Sequence, residues 1–328
     1  MIRPIVTLTM NPSLDIAAET DRIVPAEKLR CNTPQYDAGG GGINVARAIK
    51  KLGGDALAIF PAGGPSGGEV IERLQSENVP YRAIPIAGLT RECIHIDERS
   101  SGRQFRFVTP GPILTPTEQV QCLEQLVALS PAPPYLVASG SLPRGVPSDF
   151  YAKVVGLAKD MGSRVIVDTS GLGLRQAGHG VYLIKPSLEE LRDLTQRRID
   201  TDREQEDAAR SLIDEGRCEI VVLSLGEKGA LLMTADHCRR FAPIAVPVRS
   251  TVGAGDSMVA GIVLSLARGL DIDESVRFGV AAAAAALMHP GTQLCRREDV
   301  EHFHLQTSGA ASSSGPSNEA SDSTVLVE

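Results

Sequence analysis

Two kinds of segment alternate along the chain. Short apolar runs rich in valine and isoleucine are typical of buried strands, and they occur at residues 5–9, 56–62, 135–140, 164–170, 181–187 and 219–226. Between them, apolar residues recur at spacings of three and four, which is the helix period, at residues 43–53, 66–79, 116–129, 147–162, 187–195 and 202–216. This order predicts an α/β fold in which helices cover both faces of a mostly parallel sheet.

Three stretches break this alternation. In residues 15–37 and 81–109, polar and apolar positions alternate around turn signals such as the RSSGRQ of residues 99–104. This pattern predicts a small antiparallel sheet inserted into the first half of the chain. Residues 307–328 are rich in serine, glycine and acidic residues, so we expect a disordered tail there.

Composition narrows the class of partner. The 328 residues carry a formal charge of −7 with a pI near 5.5, so we expect neither nucleic acid nor a membrane as a partner. Six cysteines lie far apart, without a CxxC pair or a spacing that suits zinc, which indicates reduced thiols. We find no secretory signal and no apolar run long enough to cross a bilayer, and this predicts a cytoplasmic protein.

The segment STVGAGDSMVAG places Gly253, Ala254 and Gly255 directly before Asp256 and a regular helix pattern. Small residues let an anion approach the backbone, where unpaired amides and the helix dipole stabilise it. Beside such an anion hole, Asp256 is suited to accept the proton of a hydroxyl group that attacks phosphorus. The alternative is an ordinary helix start with an acidic first turn.

Four glycines at residues 39–42 join a predicted strand to a helix that carries Asn44 in its first turn. Bare backbone of this kind lets a hydroxylated ligand approach closely. The competing interpretation is a dinucleotide fold, and hence a nicotinamide-dependent oxidoreductase. It is weak, because Asn44 stands where the third glycine belongs and no acidic residue closes a second strand about twenty residues later.

Two further strand ends are candidate nucleotide contacts. Residues 221–232 predict a strand, a turn of small residues and a second strand, which suits a nucleotide or is a plain hairpin. Lys185 ends another strand, and Glu189 and Glu190 follow it in the next helix. The two acids serve either the site or the helix as an N-terminal cap.

Basic residues gather in or beside the inserted sheet although the chain is acidic, namely Lys28, Arg30, Arg91, Arg103 and Arg106. A planar guanidinium group matches phosphate oxygens, so we prefer Arg91 and Arg106, each within an alternating strand, as ligands of a phosphorylated substrate. The alternative is that part of this set is merely solvated. A sheet that closes over a sugar would also exclude water from the reaction, as a lid does.

These motifs, in this order, resemble the ribokinase-like sugar kinases of the pfkB family over residues 1–306. The resemblance rests on NPSLD (11–15), GGGGINVARAI (39–49), SGSLPRGV (139–146), VVLSLGEKGAL (221–231) and STVGAGDSMV (250–259). It implies one kinase domain with a ribokinase-like three-layer α/β/α architecture and a small antiparallel β lid. It further implies transfer from ATP to the 1-hydroxyl of fructose 6-phosphate. The alternatives are 1-phosphofructokinases and tagatose-6-phosphate kinases, which usually carry lysine where this chain has Gly41.

The resemblance also implies roles for individual residues. Asp256 is the catalytic base, with Gly253, Ala254 and Gly255 as the anion hole. The substrate contacts, with Arg106 from the charge argument, are Asp15, Lys28, Gly40, Gly41, Asn44, Arg91 and Ser141. The nucleotide contacts are Lys185, Ser187, Ser224, Gly226, Gly229, Val280 and Ala284.

Metals and assembly follow from the same resemblance. Glu190 is the residue expected to organise Mg²⁺, although Ser187 stands where the family pattern Asn-x-x-Glu has asparagine. A potassium ion is expected near Ser250, Val252, Ala286 and Gly291. Two lids facing each other would bury their apolar faces, so we expect a homodimer. A non-catalytic sugar-phosphate sensor with this fold is a further alternative, and only Ser187 favours it.

Overall fold

The structure, a computed structural model, describes residues 5–311 of the chain, with side chains as far as residue 307. Its strands are β1 (Ile5–Leu8), β2 (Ser13–Thr20), β3 (Gln35–Gly39), β4 (Ala56–Ala62), β5 (Tyr81–Pro85), β6 (Arg91–Glu98), β7 (Arg103–Val108), β8 (Tyr135–Ser139), β9 (Arg164–Asp168), β10 (Val181–Ile184), β11 (Cys218–Ser224), β12 (Ala230–Met233) and β13 (Cys238–Phe241). Its helices are α1 (Gly41–Lys51), α2 (Gly64–Ser76), α3 (Pro116–Val127), α4 (Phe150–Asp160), α5 (Gly171–Arg175), α6 (Leu188–Thr195), α7 (Asp202–Asp214), α8 (Ala254–Ala267), α9 (Ile272–Leu287) and α10 (Arg297–Ala311).

The large sheet contains nine of the strands described, in the order β13-β12-β11-β10-β9-β8-β1-β4-β5. Neighbours from β11 to β5 are parallel. The last two strands, β12 and β13, continue the sheet in antiparallel pairs. The expected mostly parallel sheet is therefore confirmed.

Helices bury both faces of this sheet. Since successive side chains of a strand point to opposite faces, neighbouring residues of one strand belong to different cores. In β1, Ile5 belongs to the core beneath α1, α2, α8, α9 and α10, whereas Val6 belongs to the core beneath α3, α4, α6 and α7. A strand covered on both sides is apolar at most of its positions, which accounts for the nearly continuous apolar runs. The three-layer α/β/α architecture is confirmed.

The second sheet, which we call the lid, has the strand order β3-β2-β6-β7. Its outer pairs are antiparallel, as predicted. The central pair, β2 and β6, is parallel over its full length, from Ser13 opposite Arg91 to Thr20 opposite Glu98. The chain passes through β3, α1, β4, α2 and β5 between these two strands, so it re-enters the lid from the same end.

Two predicted boundaries differ from the structure. The alternation pattern places residues 81–85 in the lid, but β5 pairs with β4 at the edge of the large sheet and its Ile84 is buried in the main core. The predicted tail begins at residue 307, but α10 continues to Ala311. Residues 312–328 lie outside the described part of the chain. Within residues 5–311, no helix combines the length and apolar character needed to cross a membrane.

Candidate active site

Helix α8 begins with a glycine that is required by its backbone and by its surroundings. Gly253 has a φ of 75°, in the left-handed region, and a Cβ on it would lie 2.4 Å from Leu294 Cδ2. The first backbone hydrogen bond of the helix runs from the Ser257 N–H to the Gly253 carbonyl. The three amides before Ser257 therefore have no acceptor within the helix, as an anion hole beside Asp256 requires.

Asp256 lies in the first turn of α8 and accepts a 2.9 Å hydrogen bond from Asn44 Nδ2. Burial raises the pKa of Asp256 to about 7, and the nearby Asp168 carboxylate adds to this effect. The hydrogen bond from Asn44 and the charge of Lys185 oppose it. A carboxyl group whose pKa lies near the working pH is suited to act as a general base.

The glycines before α1 are required by close approach. Gly40 has a φ of 106°. A Cβ on Gly41 would lie 2.3 Å from Ser139 Oγ, and a Cβ on Gly39 would lie 2.3 Å from Asp15 Oδ2. The start of α1 therefore rests directly on the end of β8, and the end of β3 rests directly on Asp15 of β2.

Asp15 in β2 is the second carboxyl group of the site. It is buried and accepts a 2.7 Å hydrogen bond from Ser13 Oγ. Burial raises the pKa of Asp15 to about 6, while the hydrogen bond from Ser13 and the charge of Arg47 lower it. Asp15 and Asp256 line one cavity of about 240 Å³ between the lid and the start of α8, which we call the lid cavity.

Two of the basic residues singled out in the sequence line the lid cavity, Arg91 in β6 and Arg106 in β7. The Arg91 guanidinium donates to the Asn11 carbonyl at 3.1 Å and to the Thr109 carbonyl at 3.3 Å, so its position is fixed by backbone. The remaining three, which do not line this cavity, are exposed residues: Lys28, Arg30 and Arg103.

The other expected substrate residues surround the same space. Gly40, Gly41 and Asn44 line the lid cavity. Ser141 lies beyond its rim, where its hydroxyl accepts a 3.0 Å hydrogen bond from Asn11 Nδ2. The structure thus brings the expected substrate residues together, except for Lys28 in the exposed loop between β2 and β3.

Lys185, directly after β10, pairs with Asp168 at the end of β9, with 3.1 Å between Nζ and Oδ1. Burial lowers the pKa of Lys185, but Asp168, Glu190 and Asp256 together raise it above its ordinary value. The ammonium group is therefore charged. A Cβ built on Gly255 would lie 3.5 Å from Nζ, so this buried cation lies next to the free amides of α8.

A second cavity, of about 710 Å³, lies between the start of α6 and the turn that joins β11 to β12. Ser187, Ser224 and Gly226 line it. Gly229 closes the same turn with a φ of 85°. Val280 and Ala284 are buried positions of α9, which packs against β12 and β13, and they do not line this cavity.

Ser187 and Glu190 form a capping box at the start of α6. Ser187 Oγ accepts from the Glu190 N–H at 3.2 Å, and Glu190 Oε2 accepts from the Ser187 N–H at 2.7 Å. The sequence left two roles open for Glu190, a helix cap or a part of the site, and the structure shows the cap. Because the cap uses Oε2, Oε1 of Glu190 remains available as a metal ligand. Mg²⁺ is usually bound by one or two carboxylates together with substrate phosphates, so Glu190 suits this ion.

Three of the four residues expected around potassium, Ser250, Val252 and Gly291, are joined by hydrogen bonds. Ser250 Oγ donates a 2.9 Å hydrogen bond to the Gly291 carbonyl and accepts from the Val252 N–H at 3.2 Å. Ser250, Val252 and Ala286 are buried. Carbonyl and hydroxyl oxygens are the ligands that replace the hydration shell of K⁺, so this donor set fits the ion.

A larger cavity, of about 820 Å³, lies at the other edge of the large sheet. Tyr135 and Arg164, at the amino ends of β8 and β9, line it. Open α/β sheets bind their ligands at the carboxyl ends of the strands. We therefore assign the chemistry to the lid cavity despite its smaller volume.

Sequence reasoning missed three residues of the site. In the sequence Asp168 is only the end of an apolar run, and Asn11 only the start of a motif, yet they hold Lys185 and Ser141. His95 lines the lid cavity from β6. The alternation of β6 was the available signal, because Arg91, Cys93 and His95 share one face.

Comparison with known proteins agrees with this geometry. A family profile described as pfkB family carbohydrate kinase matches residues 8–299. The ATP-dependent 6-phosphofructokinase isozyme 2 of Mycobacterium tuberculosis is 49% identical over 299 residues, which cover 91% of this chain and 88% of that relative.

Solved structures match over the same region. Phosphofructokinase-2 from Escherichia coli in complex with potassium is 43% identical, with a TM-score of 0.89, and covers 93% of this chain and 99% of that chain. In complex with fructose-6-phosphate the same enzyme is 41% identical, with a TM-score of 0.87 and the same coverage. The chain belongs to the pfkB family of carbohydrate kinases.

Proposed function

We propose that this kinase transfers the γ-phosphoryl group of ATP to the 1-hydroxyl of fructose 6-phosphate, giving fructose 1,6-bisphosphate and ADP. One observation carries the proposal: Gly253 and Asp256, at the start of α8, line the same cavity as Arg91 and Arg106. A phosphorylated sugar would place its phosphate on the arginines and a hydroxyl group at Asp256. The names of the similar enzymes agree with this acceptor.

In this proposal Asp256 takes the proton of the attacking hydroxyl group. Its raised pKa keeps it basic enough to do so, while Asn44 holds the carboxylate in place. The free amides of Ala254 and Gly255 would stabilise the charge on the transferring group. Asp15, buried against Gly39, would accept sugar hydroxyls and orient the ring.

The nucleotide would lie on the other side of the α8 start. Lys185 would pair with its phosphates, and the remaining proposed contacts are Ser187, Ser224, Gly226, Gly229, Val280 and Ala284. Mg²⁺, held through Glu190, would neutralise the phosphate oxygens. Potassium near Ser250 and Gly291 would fix the loop that precedes α8.

Gly41 supports fructose 6-phosphate over the alternative acceptors. The lysine usual in 1-phosphofructokinases and tagatose-6-phosphate kinases would require a Cβ 2.3 Å from Ser139 Oγ in this backbone. The start of α1 is therefore built for bare backbone. This argues for the acceptor that the 6-phosphofructokinases use.

We also propose a homodimer formed by two lids. A row of apolar side chains crosses the outer face of the lid in register: Tyr36, Ile16, Ile94 and Phe107. Phe107 is 56% exposed and Tyr36 is 38% exposed. A second lid of the same kind would cover this row. We also propose that the enzyme acts in the cytoplasm, because its six cysteines are free thiols and a reducing compartment keeps thiols in this state.

A substrate panel tests the acceptor. ADP formation is measured with fructose 6-phosphate, fructose 1-phosphate, tagatose 6-phosphate and free ribose, each at the same ATP and Mg²⁺ concentrations. We expect the highest kcat/KM for fructose 6-phosphate and the lowest for ribose, since ribose has no phosphate group for Arg91 and Arg106 to bind. A preference for ribose would overturn the phosphate argument, and a preference for another hexose phosphate would overturn only the assigned isomer.

A further inference from the structure

His95 is a buried side chain that nothing in the described part of the chain satisfies. It lies in β6, only 3% exposed. Neither ring nitrogen has a hydrogen-bond partner among the described residues. An unpaired buried polar group costs about 1–3 kcal/mol, so a partner from outside the chain would remove a real penalty.

The position of His95 fixes where that partner would lie. Across the lid, His95 is in register with Ala17 of β2 and Arg106 of β7. Residues opposite one another in a sheet share a face, and Arg91, farther along β6, lies on that same face. All three polar residues line the lid cavity, so the imidazole shares one wall of this cavity with two guanidinium groups.

The charge state of His95 suits an anion held by two cations. Burial lowers the pKa of His95, and Arg106 in β7 lowers it further, against smaller opposing contributions from Asp97 in the same strand and Asp37 in β3. A neutral imidazole offers one N–H donor. It therefore offers a hydrogen bond without adding a third positive charge to the lid cavity.

We propose that His95 donates a ring N–H to the phosphate group of the acceptor sugar and, with Arg91 and Arg106, determines that phosphorylated sugars are preferred. A phosphate has enough oxygens for three donors of this kind. The inference deepens the proposed function and rests on it. A purely structural histidine would instead satisfy its nitrogens within the fold.

Steady-state kinetics of matched variants test the role. His95→Leu removes the donor, whereas His95→Gln keeps an N–H in the same strand position. His179→Leu makes the same change at an exposed histidine before β10 and is the control. We expect His95→Leu to raise KM for fructose 6-phosphate about tenfold or more, with KM for ATP within about twofold, and His95→Gln to recover part of the loss.

The specificity ratio gives a second readout. In His95→Leu we expect kcat/KM for fructose 6-phosphate to fall, while any turnover of unphosphorylated fructose equals that of the wild type. An unchanged KM for fructose 6-phosphate, or equal losses for both sugars, would contradict the proposal.

Nitrogen NMR of the wild-type ring tests binding without relying on a variant that folds. The ring signals are assigned by their absence in His95→Gln. We expect fructose 6-phosphate and inorganic phosphate to shift the His95 ring signals and fructose to leave them in place. If saturating fructose 6-phosphate leaves the His95 signals unshifted, the inference is overturned. The proposed function stands in that case as long as the enzyme turns over fructose 6-phosphate. If the wild type does not phosphorylate fructose 6-phosphate, the proposed function fails, and the response to inorganic phosphate still decides the role of His95.

Discussion

Asn44 Nδ2 lies 2.9 Å from Asp256 Oδ2 and joins two helix starts that are 212 positions apart in the chain. One belongs to α1, which follows the lid strand β3, and the other to α8, which carries the free amides. The bond has two effects. It orients the carboxylate of Asp256 in the lid cavity, and it lowers a pKa that burial has raised.

Replacing Asp256 with asparagine should abolish most of the turnover. The amide has nearly the shape of the carboxylate but cannot accept the proton, and proton transfer by a positioned group contributes about a hundred- to ten-thousandfold to rate. We expect kcat to fall by a factor in this range, with KM for either substrate changed by less than about threefold. Initial-rate kinetics check this, and retention of wild-type kcat would remove Asp256 from the mechanism.

The same variant should be more stable than the wild type at alkaline pH. The folded pKa of Asp256, about 7, lies above its ordinary value of 3.8, so folding favours the protonated form. Above about pH 7, ionisation of this buried carboxyl group destabilises the folded state. Below about pH 4 the group is protonated in the folded and the unfolded protein, and the effect disappears. Thermal unfolding should give Asp256→Asn the higher Tm at pH 8, and a smaller difference at pH 5. A difference that grows as the pH falls would contradict the assigned shift.

Removing the Asn44 side chain should make the enzyme more sensitive to acid. Asn44→Ala removes a hydrogen bond that lowers the pKa of Asp256, and a hydrogen bond to a charged group contributes about 1.5–3 kcal/mol, or about one to two pH units. In the wild type we expect kcat/KM to fall as the pH drops through about 7. In Asn44→Ala this decrease should begin at higher pH, by about one unit. If kcat/KM were lower at every pH but declined at the same pH as in the wild type, Asn44 would act in substrate binding alone.

Two neighbouring glycines should respond differently to the same substitution. Gly253→Ala forces a Cβ into a left-handed backbone and against Leu294, where the backbone alone costs about 1–2 kcal/mol, so we expect a clear loss of Tm. Gly255→Ala meets only an ordinary 3.5 Å contact with Lys185 Nζ. It should keep or raise Tm while kcat falls about tenfold, because the methyl group occupies the anion site.

This pair separates the structural role of one glycine from the catalytic role of the other. Equal losses of Tm in both variants would mean that the start of α8 is strained at both positions. Wild-type kcat in Gly255→Ala would mean that the transferring phosphoryl group lies elsewhere.

The parts of the fold that can be predicted from the sequence are those with a strong period. The apolar runs of β4, β8, β9 and β11 are recognisable because the middle of a strand covered on both faces is almost entirely apolar. The prediction for β5 is wrong about the sheet, since a half-buried edge strand has the same alternation as a lid strand. Alternation does not state which sheet a strand joins.

The candidate site divides in the same way. Asp256 and the glycines around it could be predicted, because small residues directly before a helix favour the approach of an anion to the free amides. Asp168 could not, since it ends an ordinary strand and its role depends on Lys185, directly after the next strand. His95 could be found only through the alternation of β6, which places it on the same face as Arg91. Ser187 departs from the family pattern at an expected phosphate contact, and the structure gives it the capping role that any serine before a helix can take.

The outer face of the lid should control assembly. Phe107 lies at the end of the apolar row formed with Ile94, Ile16 and Tyr36, on the opposite side of β7 from Arg106. Phe107→Glu would place a charge where two lids meet, at a cost of several kcal/mol if the charge is buried without a partner. We expect the variant to be monomeric by light scattering, with a raised KM for fructose 6-phosphate because an uncovered lid orders Arg91 and Arg106 less well. Leu172→Glu, at a 59% exposed position of α5, is the control and should keep the wild-type mass. If Phe107→Glu keeps that mass as well, the subunits meet through another surface.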